Sequence, residues 1–211
     1  LGGDGVVTVV SPGALGFQSV SMLAVDPGPS PHYLFFTDAD GPAIGRAGVE
    51  TGSPEILAVV PDALVPGAKA GLGRILVHGD FVYWAVDFND KPAGSSSIWR
   101  APREPAGPLP VEAELVVAND GAFGLAGDAE HLYFGDTSKQ SLLRLAWTEI
   151  GKKDGNGMPV PAVPEVVNSA QDSMGDVAVD DDYVYWARYN EVRAQSKDAT
   201  NGLVYSIGQG N

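Results

Sequence analysis

Short apolar runs alternate with polar turn residues along the whole chain, and the runs recur. LFFTD at 34–38, VYWAV at 82–86, LYFGD at 132–136 and VYWAR at 184–188 are variants of one phrase. Its third-position aromatics, Phe36, Trp84, Phe134 and Trp186, stand 48, 50 and 52 residues apart. In the second repeat, residues 75–78, 81–87, 97–101 and 113–118 read as strands, with turn or loop residues at 79–80, 88–96 and 102–110. The first repeat yields strands at 23–26, 33–38, 43–48 and 54–60, and the third at 124–128, 131–136, 142–147 and 164–168. The fourth yields 177–180, 183–188 and 203–207, one strand short. Residues 191–199 are the only stretch to weigh as a helix, and they lack an apolar face.

A four-stranded antiparallel meander has two faces to bury. Packing such meanders face to face around an axis buries both and leaves only short edges. The expected fold is therefore all-β: a β-propeller of four-stranded antiparallel blades, with four repeats of about 50 residues. Residues 1–211 are read as one domain, with blades at about 21–60, 73–118, 123–168 and 175–207. A two-sheet sandwich is the runner-up, but a sandwich does not require a repeat of this length. The β-prone run Val6–Val10 precedes the first repeat and offers the strand that the fourth lacks, so that it would close a four-bladed ring. The competing account is a section of a larger ring, whose ends await further blades.

The phrase "short apolar run, Asp, turn, Tyr-Trp-x-Asp, Ile-x-Arg" resembles the YWTD repeats of six-bladed propellers. These occur in receptors of the low-density-lipoprotein-receptor type, with looser relatives among bacterial exported proteins. The resemblance spans residues 21–211. It implies that the Tyr position (Phe35, Tyr83, Tyr133, Tyr185) and the Trp position (Phe36, Trp84, Phe134, Trp186) pack between blades. It also implies that the Asp position bonds to neighbouring blades. That position holds Asp38, Val86, Asp136 and Arg188, so two of the four carboxylates are missing, although Asp87 follows Val86. The resemblance further implies an extracellular, periplasmic or cell-surface location.

Charge narrows the partners. Thirteen Lys and Arg stand against 27 Asp and Glu, for a net −14, which disfavours a phosphate backbone and so nucleic acid. No run approaches the roughly 20 apolar residues of a membrane helix. The 27 Gly and 16 Pro fall between the apolar runs, as tight turns require. There is no Cys, hence no disulfide or thiol chemistry. The first residue is Leu1 rather than Met, which reads as a processed or excised piece.

Candidate chemistry is sparse. Asp38, Asp40, Asp154 and Asn156 have the residue types of a calcium loop, but neither stretch supplies the six to eight oxygens of a cage, and turns need the same residues. The expectation is no cofactor, with calcium as the ion these residues would suit. Asp180-Asp181-Asp182 occupies a turn that recurs as His78-Gly79-Asp80 and Asp128-Ala129-Glu130. Arg46, Arg100 and Arg144 recur on third strands and suggest pairing with a carboxylate of the next blade. His32, His78 and His131 share no metal spacing, and no nucleophile elbow or phosphate loop is present. The loops joining second to third strands look unequal, with 87–96 and 190–200 long. They carry the binding candidates Asp87, Asp90, Arg188, Tyr189, Arg193 and Lys197. The favoured function is a non-catalytic binding or scaffold domain that takes a protein or small ligand on this loop face. One alternative is a propeller hydrolase or lyase with a site at the axial channel. Another is a structural subunit of a larger assembly, in which case the chain would oligomerise.

Overall fold

The structure, a computed structural model, describes residues 15, 20–26, 32–38, 43–60, 70–88, 97–118, 122–169, 171, 174–199 and 202–209. They form four sheets, each built on a four-stranded antiparallel meander. Blade one holds β1 (Val20–Val25), β2 (Tyr33–Asp38), β3 (Ala43–Gly48) and β4 (Pro54–Val59). Blade two holds β5 (Ala70–His78), β6 (Phe81–Phe88) and β7 (Ser97–Pro102), and then, beyond the two-residue β8 (Val111–Glu112), β9 (Glu114–Val117). Blade three is β10 (Ala122–Gly127), β11 (His131–Asp136), β12 (Ser141–Ala146) and β13 (Glu165–Asn168). Blade four is β14 (Met174–Val179), β15 (Tyr183–Arg188), β16 (Glu191–Ser196) and β17 (Tyr205–Gln209). First strands lie side by side, β1 on β5, β5 on β10 and β10 on β14. Arg74 of β5, in blade two, pairs with Asp176 of β14, in blade four. Among the described residues, no helix is long and apolar enough to cross a membrane.

Blade four corrects the sequence reading. Residues 191–196 are a strand, neither helix nor loop, so the fourth repeat has all four strands and 205–209 is its fourth rather than its third. The expected long loop at 190–200 is a two-residue turn, Tyr189-Asn190, closed by the Arg188↔Glu191 pair, with Tyr189 at φ 35°. The strand escapes an apolar-run reading because its buried positions are partly polar. Gln195 is fully buried and accepts a bond from Asn168 Nδ2 at 2.5 Å. No strand of this blade is missing for Val6–Val10 to supply; those residues lie outside the described ones.

Residues 89–96 separate β6 from β7, against two residues in blade four, and connections are also unequal on the opposite rim, where the first-to-second turns and the third-to-fourth connections lie. The connection between β12 and β13 carries a 3-10 turn at Trp147–Glu149 and reaches back to blade two, where Ala162 N donates to Val116 O at 2.9 Å. The connection between β7 and β9 likewise reaches blade one. There β8 runs parallel to β4, and Ala113 N donates to Val59 O at 2.9 Å.

The core is a series of inter-blade layers. Trp84 packs with Ile44 and Leu57 of blade one, Phe134 with Ile98 and Val116 of blade two, and Trp186 with Leu142 and Val167 of blade three. Trp84 and Trp186 are 0% and 1% exposed, as the repeat position requires. The neighbouring Tyr position looks the other way: Phe35 joins the layer with blade two, Tyr83 that with blade three, and Tyr133 that with blade four.

Register makes the end faces comparable with these layers. Ile44, Ile98 and Leu142 are all fully buried by the following blade, yet Val192, at the same position of blade four, is 42% exposed. Leu57, Val116 and Val167 are buried, and Ile207 at their place is 58% exposed. At the other end Leu23, the counterpart of the buried Ile75, Leu125 and Val177, is 59% exposed. Among the described residues, no strand joins blade four to blade one.

Candidate functional site

A pocket of about 450 Å³ opens at the joint of blades three and four on the turn rim and is lined by Asp128, Glu130, His131, Tyr133, Arg144 and Lys197, among others. Asp128 follows β10, and Lys197 follows β16. A turn places each there: Asp128 Oδ1 accepts the backbone N–H groups of Glu130 and His131 at 2.9 and 2.8 Å. Lys197 Nζ donates to Asp128 Oδ2 at 2.9 Å, and both side chains are largely buried. Tyr133 OH donates to the same oxygen at 3.3 Å, and Arg144 donates to the Lys197 carbonyl at 3.1 Å.

These contacts set the protonation states. Burial alone would raise Asp128, but the Lys197 ammonium and two backbone N–H groups outweigh it and hold the carboxyl below its usual range. Burial, reinforced by the Asp128 charge, pushes Tyr133 up to about 12. The bond to Asp128 raises Lys197 against the opposing cost of burial. Near neutral pH the site therefore holds one ionised acid beside two groups that keep their protons.

The arrangement recurs. At the joint of blades one and two, Arg103 donates to Asp26 Oδ1 at 2.7 Å, and Arg46 donates to the Arg103 carbonyl at 2.5 Å. At the joint of blades two and three the same two positions hold His78 and Trp147, which stack at 3.8 Å and 9°. Trp147 Nε1 donates to Asp128 O at 2.9 Å. The recurring arginines do pair with carboxylates, but of their own fourth strands rather than the next blade: Arg46 with Glu55, Arg100 with Glu114 and Arg144 with Glu165. Their reach into the next blade, at Arg46 and Arg144, is to a backbone carbonyl.

The structure divides the binding candidates read from sequence. Arg188, Tyr189 and Arg193 gather on the loop rim. Arg188 and Arg193 both pair with Glu191, at 3.1 and 2.6 Å, and the Arg193 bond leads the causes that hold Glu191 below its ordinary value. Arg193 also donates to Gln171 at 2.7 Å, and Tyr189 is 87% exposed. Lys197 belongs to the opposite rim, because β16 carries the chain across the blade between them. Asp87 lies in β6 opposite Gly71, and Asp90 falls outside the described residues. Of the calcium candidates, Asp154 Oδ1 accepts the backbone N–H groups of Asn156 and Met158 at 2.8 and 2.9 Å, so the carboxylate caps a turn. Asp38 ends β2 opposite Val20, and Asp40 lies outside the described residues. Asp136 caps its own β11–β12 turn through Ser138 and Lys139. Sequence reading missed the pairs Asp26–Arg103, His78–Trp147 and Asp128–Lys197. Their signal was a repeat column read across two blades: the residue ending the first strand against the residue ending the next blade's third.

No family model matches the chain, and no curated protein matches it in sequence. Solved structures do. Regucalcin, a calcium-binding protein of Agrobacterium tumefaciens strain C58, superposes with a TM-score of 0.61 at 16% identity, over 92% of this chain and 61% of its own. A chain of a nidogen/laminin complex gives 0.55 at 15%, over 85% and 62%. Streptogramin B lyase gives 0.58 at 9%, over 88% and 54%. These are β-propeller-type proteins, and the likeness shows the propeller fold of this chain. The chain spans about three fifths of the length of the first two.

Proposed function

We propose that this chain is a non-catalytic binding or scaffold module built from YWTD-like repeats, carried by an exported or cell-surface protein. The observation that carries the reading is the recurrence of the Asp128–Lys197 latch as Asp26–Arg103. The densest cluster of shifted titratable groups does the same work at two joints, and work that repeats at a repeat position is structural. The binding surface is the loop rim around Arg188, Tyr189 and Arg193, where Tyr189 projects from a tight turn on a rigid blade. It takes a protein or a small ligand. The resemblance of the repeats supports the location.

The test is a partner screen by surface plasmon resonance, run beside turnover assays with ester, lactone and phosphomonoester substrates. Saturable binding weakened by Tyr189→Ala, without turnover, is the expected result. Enzymatic turnover abolished by Asp128→Asn would overturn it in favour of a hydrolase. A stoichiometric divalent ion in elemental analysis would point to the axial channel instead.

A specific observation favours a second reading, a structural section of a larger ring. Val192 and Ile207 at one end and Leu23 at the other are exposed at positions that are buried in every internal layer. Sedimentation of the isolated chain measures this: self-association through these faces supports it, and a strict monomer with unchanged end-face exposure counts against it.

A further inference from the structure

Blade four breaks the rule of its siblings at one point. In blades one to three an arginine sits mid-strand on the third strand. An aromatic residue flanks it on the second strand and a glutamate on the fourth: Phe35–Arg46–Glu55, Tyr83–Arg100–Glu114 and Tyr133–Arg144–Glu165. The first two guanidinium groups lie over the ring that opens the second strand, Arg46 at 4.6 Å from the centre of Tyr33 and Arg100 at 4.2 Å from that of Phe81. In blade four the same three positions hold Tyr185, Ala194 and Tyr205, and the opening ring is Tyr183. The guanidinium is gone and its aromatic seat remains.

What is left is a pocket of about 210 Å³ lined by Tyr183, Tyr185, Ala194, Tyr205 and Ile207. Tyr205 stands edge-on to Tyr183, with centres 6.5 Å apart at 76°, and Tyr185 is 6.2 Å away at 43°. Beside them, Asp180 accepts the Tyr185 hydroxyl at 2.7 Å and the backbone N–H groups of Asp182 and Tyr183. Its counterpart Asp128 makes the same three bonds and a fourth, to Lys197. Among the described residues no lysine or arginine bonds to Asp180. Ring faces and an ionised carboxylate together attract a cation.

We propose that this vacated position binds a guanidinium group presented from outside the chain, seated over Tyr183 as Arg46 is over Tyr33 and charge-paired with Asp180. The inference goes beyond the loop-rim reading above: it concerns the end face of blade four, where Ile207 lies, and stands on the repeat register together with the ring geometry.

The experiment follows the ring resonances of Tyr183, Tyr185 and Tyr205 by NMR while N-acetyl-arginine amide is added to the whole chain, with the neutral isostere N-acetyl-citrulline amide in parallel. Saturable shifts are expected with arginine, and binding about tenfold weaker with citrulline. Ala194→Arg supplies the guanidinium from within and should abolish the response. Should that variant not fold, Ala194→Arg with Tyr205→Glu restores the full trio of the other blades and should do the same. A pentapeptide with central arginine that binds more tightly than the amide points to a protein source; equal binding points to a small molecule. A response to arginine no different from that to citrulline overturns the proposal, as does a response that survives in the folded Ala194→Arg protein.

Discussion

The joints on either side of blade two are built at the same two repeat positions with opposite chemistry. Asp26 and Arg103 fasten blade one to blade two as an ion pair, whereas His78 and Trp147 fasten blade two to blade three as a stack. The third joint returns to the ion pair, Asp128 with Lys197. Both members change together, so the repeat preserves the contact and not the residue. An ion pair couples the joint to carboxylate ionisation and salt; a stack of imidazole on indole couples it to dispersion and to histidine protonation.

Truncating the layer that all joints share should cost most. Trp84→Ala and Trp186→Ala each remove a fully buried indole between blades and should lose about 3–5 kcal/mol in chemical denaturation. A loss near zero at either would show that the layers do not bear on stability. Trp84→Phe sharpens the point. Phe36 and Phe134 stand at this position, and the Trp84 indole N–H is buried with no partner among the described residues, so the change should cost about 1 kcal/mol or less.

Acid should separate the two kinds of joint. Burial lowers the pKa of His78 although Asp128 opposes it, so between the lowered value and about 6.5 the unfolded chain binds more protons than the folded one. The contribution of the stack is complete above about pH 6.5 and is lost as pH falls through the lowered value. Asp128 is also lowered, but from the carboxylate range, so its contribution persists to about pH 4 and is lost only below that. Unfolding midpoints measured from pH 7 to 5 should fall, and His78→Phe should flatten that fall. An unaltered slope in the variant would remove the stack from the account.

The second-strand phrase made the aromatic layers legible, since Trp84 and Trp186 recur with Phe36 and Phe134 at one position of the repeat. β16 was not legible, because Glu191, Arg193 and Gln195 are polar, and Arg193 and Gln195 find tertiary partners in Gln171 and Asn168. The latch was hidden by distance: Asp26 and Arg103 are 77 residues apart, Asp128 and Lys197 69. The recurrence of Arg46, Arg100 and Arg144 was visible, but not which strand held their glutamates, because register alone sets Glu55, Glu114 and Glu165 opposite them.

The most direct test of the latch as structure rather than active site is a double-mutant cycle of Asp128→Asn and Lys197→Met, read by urea denaturation at low and high salt. The two changes should couple by roughly 0.5–1 kcal/mol at low salt, and less at high salt. Zero coupling, with Lys197→Met leaving the unfolding midpoint unchanged, would contradict it.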